Sequence, residues 1–200
     1  MVNPMEDAAQ PPAQETLFAV VDLETTGFDP RKDRIVQMAA VVVNTRGEVI
    51  DSFDTVVKPE SPEQYEHGAE HVHGISREMV EETGMPLREA MERIWSISEG
   101  KVFTAHNARF DIGFLEAESE RIGLSRKITD YVDTLALARM ADSDRTRKHS
   151  LEALCAHYGI TRDRAHEARS DATATAQVLM RLIEDLGVEN PLQLPALSSE

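Results

Sequence analysis

Asp22 and Glu24 stand two residues apart at the end of the apolar run 17–21. On a strand this spacing turns both side chains to one face, so two carboxylates sit side by side where an apolar strand ends. Like charges so close raise each other's pKa unless a cation joins them; the alternative is an ordinary solvated strand end. A further acid, Asp111, closes the run His106-Asn107-Ala108-Arg109-Phe110-Asp111, where a short apolar strand gives way to a helical pattern. There Asn107 and Asp111 either face a shared crevice or simply cap the helix and complement its dipole. The third segment, His166 to Asp171, opens the last long helical pattern. If both residues were helical, their separation would splay them around the axis. They converge only if His166 belongs to the loop that enters the helix.

Together these segments offer four carboxylates from three distant parts of the chain and one histidine, the side chain that titrates nearest neutrality. Hard oxygen donors of this kind suit Mg²⁺ or Mn²⁺ rather than zinc. Two such ions about 4 Å apart can clamp an in-line phosphoryl displacement, with the histidine taking the proton of the attacking water. Charge bears on the same point. With 21 basic and 36 acidic residues the formal net charge is −15, which argues against nucleic-acid binding through a basic face. Bound ions would supply locally the positive potential that the surface lacks. The loop Arg145-Thr146-Arg147-Lys148 is the one basic cluster, and it reads either as a solvated loop or as a contact with a substrate backbone.

The elements that must position these groups follow from hydrophobic periodicity. The chain has 200 residues, 41% of them hydrophobic. That is enough for a sizeable core and excludes a disordered polyanion. No apolar run is long enough for a membrane-spanning helix. The single cysteine, Cys155, cannot form an internal disulfide; with no secretory signal at the start, the chain reads as cytoplasmic. Residues 1–15 read as a flexible polar leader, 16–187 as one domain and 188–200 as a Pro-containing tail. Strands are expected at 17–24, 35–44, 49–58, 102–105 and 128–133. The first three, joined by short turns, suggest an antiparallel meander. Helices are expected at 62–71, 77–82, 86–98, 108–122, 134–140, 150–157 and 168–186. Three strands followed by helices alternating with two more strands indicate an α/β domain with a mixed sheet.

Asp22-Leu23-Glu24-Thr25-Thr26-Gly27, the run His106 to Asp111, and His166 with Asp171 together resemble the DEDDh 3′–5′ exonuclease superfamily. Within it the likeness is to the proofreading epsilon subunits of bacterial DNA polymerase III, over about residues 17–187. The resemblance implies a ribonuclease H-like fold, a five-stranded mixed sheet flanked by helices. It implies that Asp22 faces two divalent ions, that Glu24 and Asp171 complete the site of the water-activating ion, and that Asp111 supports the second. His166 would be the general base. Thr25, Thr26 and the backbone near Leu23 would hold the terminal nucleotide, and Asn107 and Phe110 would shape the same pocket. His71-Val72-His73-Gly74-Ile75 matches a family stretch lying beside the terminal base, through His73; a plain turn fixed by Gly74 is the other reading. Gln37 stands where many relatives carry glutamate, at a position that is not a ligand. The expected activity is 3′–5′ hydrolysis of single-stranded DNA to nucleoside 5′-monophosphates with Mg²⁺ or Mn²⁺, in proofreading or repair. The alternatives are an exoribonuclease of the ribonuclease T or oligoribonuclease kind, or a non-catalytic adaptor. Gln193-Leu194-Pro195-Ala196-Leu197 faintly resembles a sliding-clamp binding peptide, so a clamp or a polymerase is a candidate partner.

Overall fold

A computed structural model describes residues 15–61 and 65–194. The sheet begins with β1 (Leu17–Thr25), β2 (Ile35–Asn44) and β3 (Val49–Lys58), which form the expected antiparallel meander. Strand β2 is buried along its whole length, as its near-continuous Val and Ala content requires of a strand covered on both faces. Two further strands, β5 (Val102–Ala105) and β6 (Tyr131–Asp133), extend the sheet on the other side of β1, all parallel. The five expected strands are therefore present. A sixth, β4 (Met85–Pro86), lies outside β3, giving the order β4-β3-β2-β1-β5-β6. Two residues ending in proline carry no alternation to read, and proline is confined to sheet edges.

Seven helices are described: α1 (Glu70–His73), α2 (Arg77–Thr83), α3 (Leu87–Ser98), α4 (Ala108–Arg121), α5 (Thr134–Ala141), α6 (Leu151–Tyr158) and α7 (Ala168–Leu186). The helix expected at 62–71 is the largest displacement. Residues 62–64 lie outside the described residues, and α1 begins only at Glu70, after Ala69 in a left-handed conformation. The expected strand at 128–133 is shortened to β6. The Ile128 amide donates to the Glu116 carboxylate at 3.1 Å instead of joining the ladder.

Alternation along β1 divides the core. Phe18 and Val20 pack with Leu179 and Leu182 of α7, Leu137 of α5 and Leu154 of α6. Val21 and Leu23 point the other way, onto Met91 and Ile94 of α3 and Phe114 and Leu115 of α4. Cys155 is buried among the first set. Asp22 and Glu24 continue the parity of Phe18 and Val20, so both carboxylates emerge on the α7 face. Because β1 and β5 run parallel, the segment that leaves β5 into α4 is delivered to the same end of the sheet, where α/β folds gather their functional groups.

The expected tail is packed as far as Leu194, which is fully buried in the α7-side core after a 3₁₀ turn over Pro191–Gln193. Residues 195–200, with three positions of the clamp-like peptide, lie outside the described residues, as do positions 1–14 of the expected leader.

Candidate active site at the carboxyl end of the central strands

Glu24 faces Gln37 across the β1–β2 ladder, and Asp22 faces Ala39. The register shifts between Glu24 and Thr25, which turns the chain out of the sheet just past the second carboxylate. The next residues build a tight loop. The Thr25 hydroxyl donates to the Gly27 carbonyl at 2.7 Å. The Thr26 hydroxyl accepts the Arg34 amide at 3.0 Å, and the Thr26 amide donates to the Arg34 carbonyl at 2.9 Å. A Cβ at Gly27 would press on the Asp33 carboxylate and push that side chain aside. Both threonine hydroxyls therefore shape the loop.

At the tip of that loop Phe28 is 90% exposed. Its ring stands edge-on to Phe110, with centroids 6.4 Å apart, and Phe110 packs in turn on Phe114 at 4.9 Å. The two-aromatic mouth was not legible from motif spacing. Its only signal in the sequence is an aromatic residue in a polar turn, and Phe110 lies more than eighty positions away.

Asp111 occupies the first turn of α4 and is buried. Asn107, immediately before the helix, adopts a left-handed conformation (φ 65°) and its side chain makes no capping bond. Simple helix capping by Asn107 is thereby excluded. Its backbone is held instead by Asp133, whose Oδ1 accepts the Asn107 and Leu135 amides, each at 2.9 Å. Behind this turn His106 Nδ1 lies 2.9 Å from the Thr134 hydroxyl. Burial pushes the His106 imidazole down to about 4, so it serves as a neutral structural group.

His166 has φ 60° and lies in the loop before α7, with its side chain exposed. It is thus outside the helix, as its convergence with Asp171 demands. The His166 amide donates to Asp171 Oδ2 at 3.1 Å. Glu167 caps α7 by accepting the Ser170 amide at 3.0 Å. Gln37 anchors this junction across 131 residues: its Oε1 accepts the Ala168 amide at 3.1 Å, and its Nε2 donates to Glu167 at 3.4 Å. A glutamate at this position could not donate to Glu167 when ionised. Gln37 is thus a structural tie between β2 and the helix that carries Asp171.

The four acids feel one another. Burial pushes Asp22 well above the usual carboxylate value, and Asp111, Glu24 and Asp171 push it further; Arg162 pulls it down. Glu24 is pushed up to about 7 by burial, then by Asp171 and Glu167. Asp111 is raised chiefly by burial, with the amides of Asp111 and Leu23 opposing. Asp171 is raised by burial against the pull of Arg162 and the His166 amide. Ligand-type atoms of Glu24, His166 and Asp171 all lie within 4.8 Å of one another. A buried, mutually repelling, oxygen-rich cluster with one imidazole fits hard divalent cations.

His73 joins the site indirectly. Its Nδ1 accepts the Ile75 amide at 3.0 Å, and its Nε2 lies 3.3 Å from the Gly68 carbonyl. Gly68 in turn abuts the Thr26 carbonyl so closely that a Cβ has no room. Gly74, with φ 73°, ends α1 as a turn residue. The segment is therefore both a glycine-fixed turn and a brace against the end of β1. In the basic loop, Asp142 accepts the Thr146 amide at 3.2 Å and the Arg147 amide at 3.1 Å. The exposed Arg145 and Lys148 are left on the outside.

Comparison with known proteins gives a consistent picture. The family model for exonucleases (RNase_T) matches residues 19–179. The DNA polymerase III PolC-type of Thermotoga petrophila is 33% identical over 172 residues, covering 86% of this chain and 12% of that protein. The 3′-5′ exonuclease DinG of Bacillus subtilis is 32% identical over 170 residues, covering 84% and 18%. The chain thus spans only a small part of the length of these relatives. Among solved structures, E. coli Exonuclease I in complex with a dA16 oligonucleotide superposes with a TM-score of 0.73 at 23% identity, covering 85% of this chain and 41% of that one. The nuclease domain of 3′hExo, a DEDDh family member bound to rAMP, superposes with a TM-score of 0.70 at 17% identity, covering 86% and 94%.

Proposed function

The chain belongs to the RNase T-type exonucleases, within the DEDDh 3′–5′ group, and from that premise we propose that it removes nucleotides one at a time from the 3′ end of single-stranded DNA. The products would be nucleoside 5′-monophosphates. The observation that carries this reading is the convergence of Asp22, Glu24, Asp111 and Asp171 with His166 at one end of the sheet, where burial raises all four acids and repulsion from neighbouring carboxylates adds to the shift of Asp22, Glu24 and Asp111. The domain responsible would be 16–187.

Two divalent ions, Mg²⁺ or Mn²⁺, would be held by Asp22, Glu24, Asp111 and Asp171. When bound they supply the positive potential that draws in the phosphodiester and acidifies the attacking water. The protein's own groups do the rest. His166, on an exposed left-handed turn, takes the water proton on its imidazole and passes it to solvent. The loop tied by Thr25 and Thr26 presents Phe28, and Phe28 with Phe110 stacks the terminal base. Asn107 offers its unengaged amide beside Asp111, and the backbone at Leu23 flanks the same pocket. The bracing of Thr26 by Gly68 and His73 holds this loop against the strand end. Proofreading or repair beside a polymerase or a sliding clamp is part of this proposal, since relatives named DNA polymerase III PolC-type share this domain.

The test is a digest of matched DNA and RNA oligonucleotides carrying a 5′ label, with Mg²⁺ and with EDTA. The expected result is a ladder shortening from the 3′ end on DNA, mononucleotide products, and no cleavage in EDTA. Preferential RNA shortening would move the substrate to RNA. Internal cuts, or activity in EDTA, would overturn the reading.

Stacking on Phe28 is separately checkable. Base–aromatic stacking contributes roughly 1–3 kcal/mol per base, so Phe28→Ala is expected to raise KM for a dT oligonucleotide about tenfold. Because the side chain is 90% exposed, the melting temperature should stay unchanged. A KM equal to that of the wild type would remove Phe28 from the binding surface.

A further inference from the structure

Both carboxylate oxygens of Asp171 carry protein hydrogen bonds. Arg162 donates from its guanidinium to Oδ1 at 3.0 Å, and His166 donates from its amide to Oδ2 at 3.1 Å. The Arg162–Asp171 pair is well shielded, with side-chain exposures of 13% and 8%. Arg162 sits in the loop between α6 and α7, and its charge reaches Asp22 as well. Two neighbouring arginines are paired elsewhere: Arg169 with Asp54 at 2.9 Å, and Arg147 with Asp142 at 3.9 Å. A guanidinium is always charged at working pH and grips carboxylates with a planar fork. A guanidinium hydrogen-bonded to a carboxylate partly neutralises it and repels a divalent cation drawn to the same group.

We propose that Arg162 is a positioning residue acting as a built-in counter-cation. Its guanidinium holds Asp171 in the acid cluster and would compete electrostatically with a divalent ion for that carboxylate, so it sets metal affinity. This rests on the metal-dependent reading above. The arrangement gives removal of Arg162 two effects of opposite sign. Without metal, the cluster loses its compensating charge and the protein becomes less stable. With metal, nothing competes for Asp171 and binding tightens. A residue that merely propped up the loop would move both quantities the same way, because a looser site also binds metal more weakly.

Titration calorimetry with MnCl₂ and thermal unfolding in EDTA, on the full chain, separate these cases. Arg162→Gln is expected to bind Mn²⁺ about tenfold tighter than the wild type and to melt at a lower temperature in EDTA, with the difference closing at saturating Mn²⁺. Should that variant fail to fold, Arg162→Lys keeps the charge but loses the fork and is expected to bind Mn²⁺ tighter by a smaller factor. Unchanged or weaker Mn²⁺ binding in the folded variant, with normal binding by the wild type, overturns this proposal alone. A wild type that binds no Mn²⁺ overturns the metal-dependent function and this proposal with it.

Discussion

Replacing Asp22 by Asn is expected to lower hydrolysis of single-stranded DNA by about a thousandfold or more and, in the same molecule, to raise the melting temperature of the metal-free protein at pH 7.5. Loss of rate follows, on the proposed function, from removing one of the carboxylates that would hold the metal. The gain in stability follows from the electrostatics. Asp22 is raised well above its ordinary value of 3.8 by burial and by Asp111, Glu24 and Asp171. A carboxyl whose folded pKa is raised contributes stability that is fully present below its unfolded value and is lost as pH rises through the folded one. As pH rises above the ordinary value that contribution is progressively lost, whereas an amide of the same shape does not titrate. Glu24, raised from 4.5 to about 7, shows the same sign over the window between those values. His106 opposes them: pushed from 6.5 down to about 4, its contribution is present above 6.5 and is lost as pH falls toward 4. The melting curve of the wild type therefore mixes the two. The difference between variant and wild type does not, because His106 is common to both. Unfolding in EDTA from pH 5 to 8.5 should show an advantage for Asp22→Asn of a few degrees at the alkaline end, since about 1 kcal/mol moves Tm by roughly 2–4 °C in a domain this size. It should shrink on acidification. Identical curves at every pH would mean that Asp22 sits outside the repelling cluster.

The strands that carry these groups were readable because their signals are local. Strand bounds at 35–44, 49–58 and 102–105, and the long helix at 168–186, follow from uninterrupted apolar periodicity and end at turn residues. The location of His166 was readable for a geometric reason: five positions from Asp171 is the wrong helical separation for convergence, and φ 60° is how the chain resolves it. What escaped reading depends on partners far away in sequence. Gln37 looks like one more strand residue until its amide is seen gripping Glu167 and the Ala168 amide. Arg162 looks like a loop charge until it meets Asp171. Ile128 reads as strand, yet its amide goes to a helix carboxylate rather than to a neighbouring strand. Phe28 looks like a hydrophobic residue in search of a core, yet it faces solvent. In each case the residue type fitted a bland local role, and only tertiary placement gave it another.

His166 has two possible duties, and its replacement by glycine separates them. One of its ring nitrogens lies close enough to Glu24 and Asp171 to complete a ligand set, while its exposure and the left-handed turn suit a group that collects a proton and releases it to solvent. Glycine adopts φ near 60° without steric cost, so the loop, and with it the amide that donates to Asp171 Oδ2, should keep its place. If the ring is the base, the rate falls by about a thousandfold, within the 10²–10⁴ that general-base groups contribute, while Mn²⁺ affinity stays within about twofold, a difference of under 1 kcal/mol. Added imidazole should then restore part of the rate through the space left behind. If the ring is a ligand, Mn²⁺ affinity itself drops by an order of magnitude or more, and the rate loss disappears at saturating metal. Donor chemistry inclines toward the base, because hard divalent ions prefer the carboxylate oxygens to an imidazole nitrogen. A His166→Gly protein with weakened Mn²⁺ binding and full activity at high metal would reverse that assignment.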